Sequence, residues 1–232
     1  MAGFPGFDIA DYPGDAETAW LKANTNLVWC GYYLAPAPSH RSTTWMGQRA
    51  ALATLGFGIA PIYVGQQVTG PGSQNPSLAQ GTVDGGDAVN LMIREGFAAA
   101  SCVYLDLENG PPLPQQLSDY VAGWCDAVSA RGFQPGVYCS HAFAADIHQL
   151  RSQARIWAFK VDTVAPHPFP GTNFPTLDPA GSGYAGAYMW QLGQNCQLTL
   201  PGAPRDTITV DLSVAVTADP GAPSPSLPPL VA

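Results

Sequence analysis

Short apolar runs alternate with longer segments of mixed polarity along most of the chain. Eight runs read as strands: 6–10 (GFDIA), 27–34 (LVWCGYYL), 58–65 (GIAPIYVG), 102–108 (CVYLDLE), 136–140 (GVYCS), 155–161 (RIWAFKV), 185–192 (AGAYMWQL) and 208–215 (ITVDLSVA). They are rich in β-branched and aromatic residues and nearly continuous in apolar character, as in strands covered on both faces. Helical segments are predicted between the first six, at 15–24, 44–55, 84–99, 115–131 and 141–152. Asp15 is expected to cap the first of these and Gly56 to stop the second.

Strands alternating with helices imply parallel pairing through crossovers. Eight is the closing number for such a sheet, and no G-x-G-x-x-G follows the first strand to favour an open dinucleotide-binding sheet. The expected fold is therefore α/β, a modified (β/α)₈ TIM-type barrel over residues 1–218. The Pro- and Gly-dense stretch 162–183 shows no helical pattern, so the helix after strand six is expected to be missing. From 219 to 232 the chain reads DPGAPSPSLPPLVA, expected to be a linker or disordered tail.

Composition narrows the partners. The 232 residues carry 9 Lys and Arg against 17 Asp and Glu, a net charge of -8, which disfavours a phosphate backbone as ligand. No uninterrupted apolar stretch approaches 18 residues, so no membrane span is expected. The first residues, MAGFPGFDIADY, have no basic start or long apolar stretch. The expectation is a cytoplasmic chain, or one exported or delivered without a classical signal, with the cell wall as site of action. Five Cys and no C-x-x-C argue against a zinc ribbon, and Cys30, Cys102 and Cys139 lie in apolar runs as buried thiols would. One disulfide stays open. The four His form no H-E-x-x-H, and neither G-x-S-x-G nor a phosphate-binding G-x-x-x-x-G-K-[ST] occurs. No metal or cofactor is expected.

Acidic residues recur in the strand runs: Asp8 in the first, Asp106 and Glu108 in the fourth, Asp211 in the eighth. Barrel chemistry sits at the C-terminal ends of strands, and the first and last strands become neighbours on closure, bringing Asp8 near Asp211. Residues two apart share a face, about 6.5 Å apart along the strand. Asp106 and Glu108 should thus face the barrel mouth, with Leu105 and Leu107 facing the helices. Two such carboxyls repel when both ionise, so one should hold its proton to higher pH, as a general acid requires. Glycoside hydrolysis uses a carboxyl pair in this way. Each acid also has an ordinary alternative use, as a helix cap, a partner of strand-end amides or a cation ligand. Tyr33, Tyr63, Tyr138, Trp157 and Trp190 offer flat surfaces for sugar rings, or core packing. Gln66, Gln67 and Gln191 are candidates to bind hydroxyl or acetamido groups.

Taken in order, GFDIADY, PIYVGQQ, VYLDLE, GVYCS and ITVDLS resemble the glycoside-hydrolase-like family catalogued as domain of unknown function 1906. That family is similar to the family 25 glycoside hydrolases, the Chalaropsis-type lysozymes. The resemblance runs from about Gly6 to Val216 and rests most on PIYVGQQ with YLDLE. It implies a modified barrel and a sugar-polymer substrate such as the glycan strands of peptidoglycan. By the same resemblance Glu108 corresponds to the general acid, Asp106 to the other acid of the D-x-E pair, and Asp8 and Asp211 to the acids of the first and last strands. Lys160, near the end of the sixth strand, departs from the pattern. Its ammonium is expected to pair with a rim carboxylate. Two other readings stay open, a glycan-binding domain without turnover and a structural or delivery scaffold of a phage or secretion apparatus, because a fold does not dictate its function.

Overall fold

A computed structural model describes residues 2–68 and 75–224. Nine strands form one sheet: β1 (Phe4–Asp8), β2 (Trp29–Tyr33), β3 (Gly58–Val64), β4 (Cys102–Asp106), β5 (Gln134–Ser140), β6 (Arg155–Phe159), β7 (His167–Phe169), β8 (Met189–Thr199) and β9 (Thr207–Ala215). Eight of them close into a barrel in the order β1-β2-β3-β4-β5-β6-β8-β9 and back to β1, while the three-residue β7 attaches to the outer end of β8. Five α-helices cover the barrel: α1 (Asp15–Asn24), α2 (Arg49–Leu55), α3 (Leu78–Arg94), α4 (Gln115–Ala130) and α5 (Ala144–Leu150). Among the described residues no helix is long and apolar enough to cross a membrane.

The barrel departs from uniform parallel pairing at its closing strand. β1 to β6 and β6 with β8 pair in parallel, but β9 runs antiparallel to both β1 and β8. The reason is the length of the last connection. Only residues 200–206 join β8 to β9, enough for a hairpin and too few for a crossover helix. Between β6 and β8 no α-helix forms. That stretch holds β7 and a short 3₁₀ turn at Pro179–Ser182.

Several helix ends and caps also differ from expectation, and α2 begins at Arg49 rather than at 44. Gly14, not Asp15, is the N-cap of α1, and Asp15 lies in its first turn, where a negative charge suits the helix dipole. α3 begins at Leu78, capped by Ser77, whose side chain accepts from the Gln80 amide 3.1 Å away. Gly56 ends α2 in the left-handed region at φ 83°, as expected.

Two apolar layers hold the barrel. Between strands and helices lie Tyr63, Leu105, Leu107, Val121, Trp124 and Val137. Inside the barrel lie Trp29, Ala60, Ile62, Tyr104, Trp157 and Met189. Trp157 meets Trp29, Tyr104 and Tyr138 edge-on, at centroid distances of 5.7, 5.7 and 5.3 Å, a favoured aromatic arrangement. Room for these rings comes from glycine. A Cβ on Gly6 would lie 2.1 Å from the Trp29 indole, and one on Gly31 would lie 2.5 Å from Cβ of Asp8. All five cysteines are buried free thiols.

Below the barrel, residues 219–224 of the expected tail pack against the strand starts. The Asp219 carboxylate accepts from the Ile59 amide at 2.9 Å, and Tyr104 Oη donates to the Pro220 carbonyl at 3.0 Å. Arg155 donates to the Pro220 and Ala222 carbonyls and to Ser224 Oγ at 2.7, 3.0 and 2.8 Å. The remainder of that expected tail, 225–232, lies outside the described residues.

Candidate active site

The strands that place apolar rings at the barrel centre place acids at its mouth. Two-residue periodicity puts Tyr104 and Asp106 of β4 on the inner face, and Glu108 continues it. Leu107 extends the ladder past the strand, its amide donating to the Tyr138 carbonyl at 3.0 Å. A cavity of about 290 Å³ opens there, lined by Asp8, Tyr33, Ile62, Asp106, Glu108, Tyr138, Trp157, Phe159, Val164, Gln191, Gln194 and Asp211. Asp8 and Asp211 are directly opposed across the β1–β9 pair. Asp211 stands mid-strand rather than at a C-terminal strand end. It reaches the same rim because β9 runs in reverse and its first half extends above the mouth.

The four carboxyls sit unequally. Asp8 and Asp106 are 6% and 8% exposed, whereas Glu108 is exposed at the rim. Asp8 accepts from Tyr33 Oη at 2.9 Å through one oxygen; its other oxygen and Oδ1 of Asp106 are buried without a partner among the described residues. Asp211 accepts from Gln191 Nε2 at 3.0 Å and from the Asn195 amide at 2.7 Å. No Lys or Arg is among the lining residues. Burial, and then the charges of Glu108, Asp8 and Asp211, hold the Asp106 pKa well above the usual carboxylate range. Asp8 is raised likewise by burial and then Asp211, with the Tyr33 hydrogen bond opposing. Burial pushes Asp211 up to about 6, its two donors opposing. Uncompensated burial of like charges produces this pattern. Burial also drives the Tyr33 and Tyr138 phenols up, with nearby carboxylates adding to it, so both rings carry neutral hydroxyls at the rim.

Two elements tune this arrangement. Gln67, buried behind the rim, donates to the Asp106 carbonyl at 2.8 Å and accepts from the Glu108 amide at 3.1 Å. Its carboxamide bridges the two residues of the pair. The second element is a bulge in β8, where the register against β9 shifts between Gln191 and Cys196. Asn195 adopts φ 54° there and turns its amide onto Asp211 while its side chain donates to the Val164 carbonyl at 2.8 Å. Bulges next to functional sites re-aim groups in this way.

Of the residues singled out in the sequence, Asp8, Tyr33, Asp106, Glu108, Tyr138, Trp157, Gln191 and Asp211 meet in the cavity. Trp157 is mainly core, 1% exposed, its indole donating to Ser213 Oγ at 3.2 Å. Tyr63, Gln66, Gln67, Lys160 and Trp190 do not line it. Tyr63 points outward, its ring centroid 6.4 Å from that of Trp124, because odd positions of this strand face the helices. Gln66 belongs to a buried network in which Tyr120 and Gln80 donate to Asp84 at 2.7 Å each and Gln66 donates at 3.2 Å. Lys160 and Trp190 line a separate cavity outside the barrel, and Lys160 forms no ion pair with a rim carboxylate among the described residues. The sequence reading missed Ile62, Phe159, Val164, Gln194 and Asn195. Ile62 and Phe159 were within reach of it by alternation, Phe159 lying two residues beyond Trp157. Gln194 and Asn195 depend on a bulge that alternation does not foretell.

The sequence pattern of the Rv2525c-like, glycoside hydrolase-like domain matches residues 19–193. No curated protein matches the chain. Among solved structures, an uncharacterized protein of B. stearothermophilus is similar at TM-score 0.62 and 20% identity, over 92% of this chain and 96% of that one. The Tat-secreted protein Rv2525c of Mycobacterium tuberculosis is similar at TM-score 0.63 and 14% identity, over 94% and 98%. The bacterial lysozyme of Streptomyces coelicolor is similar at TM-score 0.57 and 13% identity, over 94% of each chain. At these identities the likeness is one of fold.

Proposed function

The chain belongs to the Rv2525c-like, glycoside hydrolase-like domain family, and from that premise we propose that it hydrolyses an amino-sugar glycan of the peptidoglycan type by carboxylate acid–base catalysis. The observation that carries this reading is the convergence of four carboxyls, on β1, on and just after β4, and on β9, in one cavity with no Lys or Arg among the described residues that line it. Structural acids are normally paired or spread over a surface; gathering four in one cavity with two of them, Asp8 and Asp106, buried costs stability, and such a cost is characteristic of functional sites.

In this reading Glu108 donates the proton to the glycosidic oxygen. It stands at the open rim, where a polymer lying across the mouth brings its linkage within reach. Asp106 lies deeper on the same face and orients the 2-acetamido group that closes on the anomeric carbon. Tyr33, Tyr138 and Gln191 supply hydrogen bonds to ring substituents. Gln67 is a positioning residue, since it touches only the backbone of the pair.

The test is release of reducing ends from purified bacterial peptidoglycan, followed by mass spectrometry, with Glu108→Gln beside the wild type. General acid catalysis contributes about 10²–10⁴-fold, so the variant should lose at least about a hundredfold in turnover while still binding glycan. Equal release by both proteins would remove Glu108 from its role. Saturable binding by a wild type that releases nothing would transfer the reading to a glycan-binding domain.

A further inference from the structure

The gap left by the absent helix between β6 and β8 is not filled solid. A second cavity of about 470 Å³ lies there, outside the barrel wall, lined by residues that include Lys160, Asp162, Thr163, His167, Phe169 and Trp190. The two cavities share a wall. Phe159 and Gln191 face the acidic mouth while their chain neighbours Lys160 and Trp190 face the outer cavity, and Val164 and Thr163 divide in the same way. A ligand draped over residues 159–164 can therefore occupy both.

The outer cavity holds a cation, which the lining of the mouth lacks. Lys160 is exposed and makes no ion pair among the described residues. The Trp190 ring beside it is half-buried and fixed by its indole N–H, which donates to the Lys160 carbonyl at 3.0 Å. Phe169 adds a second apolar face and Asp162 an exposed acid. A ligand carboxylate is repelled by the four acids of the mouth and attracted by this ammonium.

We propose that the outer cavity, built on Lys160 and Trp190, is a subsite for a short carboxylate-bearing peptide branch of the glycan whose sugar backbone lies in the barrel mouth. The proposal rests on the functional reading above. It gives the branch carboxylate to Lys160, an apolar side chain of the branch to Trp190 and Phe169, and a branch ammonium to Asp162.

The experiment is calorimetric titration with three probes: a disaccharide of N-acetylglucosamine and N-acetylmuramic acid bearing a tetrapeptide with a free terminal carboxylate, the same compound as its terminal carboxamide, and the tetrapeptide alone. An exposed ion pair supports at most about a fivefold preference. The wild type is expected to favour the carboxylate over the carboxamide by about that factor, and Lys160→Ala, an exposed substitution, to bring the ratio to about one. An equal affinity for both in the wild type, or a preference that survives Lys160→Ala, overturns the proposal. If neither disaccharide binds, the glycan reading of the mouth fails. The tetrapeptide alone then decides the subsite: binding that Lys160→Ala weakens upholds it, and no binding rejects it.

Discussion

Asp106 shares with Asp8 the cost of burying carboxyls at the mouth. Its folded-state pKa is raised by burial and by three neighbouring carboxyls, whereas in the unfolded chain an Asp ionises near pH 4. As pH rises above about 4 the unfolded chain gives up this proton first and gains stability relative to the fold. Stability contributed by the protonated mouth is thus complete below about pH 4. It declines as pH rises through the raised values, including the value of about 6 at Asp211. Asp106→Asn removes one member of the repelling set. We expect its Tm to exceed that of the wild type at pH 7.5, by about 2–4 °C for each kcal/mol relieved, and to match it at pH 4. Thermal melts at the two pH values check this; a variant less stable at both would show that the carboxylate is held by an attraction outweighing the repulsion. The acids themselves were legible in the sequence, because D-x-E at a strand end needs only a two-residue period. That one of the pair should hold its proton was legible too, but the share of burial and of Asp8 and Asp211 in raising Asp106 was not, because those two acids come from strands about 100 residues away on either side.

At the scale of elements, the mouth is shaped by what neighbouring strands leave empty. Gly6 on β1 lies beneath the Trp29 indole of β2, with no space for a methyl group. Gly6→Ala is expected to lower stability by about 1–3 kcal/mol, the usual cost of overpacking, read as a fall in Tm at constant pH. An unchanged Tm would mean that the Trp29 ring moves freely. Strand and helix positions were readable from apolar runs, and α1 and α4 lie close to where the pattern put them. The start of α3 at Leu78 was obscured because Gly81 looks like part of the Gly- and Pro-rich loop before it. Gly81 and Gly85 suit the helix since α3 and α4 pack closely there: Cβ atoms on them would come within 2.1 and 2.7 Å of α4 carbonyl oxygens. The β8 bulge escaped for a related reason, since a residue inserted in one strand is defined only by the strand beside it.

For the whole molecule, the decisive contacts join the ends of the chain to its middle. Arg155, 8% exposed, ties the segment 219–224 beneath the barrel through three hydrogen bonds and lies 4.4 Å from the Tyr188 ring centroid. Arg155→Met keeps the apolar stem but takes the donor from the Ala222 carbonyl and Ser224 Oγ, while the Pro220 carbonyl keeps only Tyr104 Oη. We expect a loss of about 3 kcal/mol, measured by urea denaturation; a loss below about 0.5 kcal/mol would make the segment a passive passenger. Eight strand-like runs without a G-x-G-x-x-G after the first indicated a closed barrel, and eight strands close it. Pairing direction at the seam followed from a loop length rather than from any residue pattern.

That seam has a kinetic consequence. β9 is the wedge between β1 and β8, and its partner Phe4 is 211 positions from Ala215. Until residues 207–215 have left the ribosome, β1 presents a bare edge and the aromatic interior lies open to water, the condition under which nascent sheets recruit wrong partners. Closure of this barrel therefore waits for its last strand, and the interval before that strand arrives is when its edges are most open to wrong pairing.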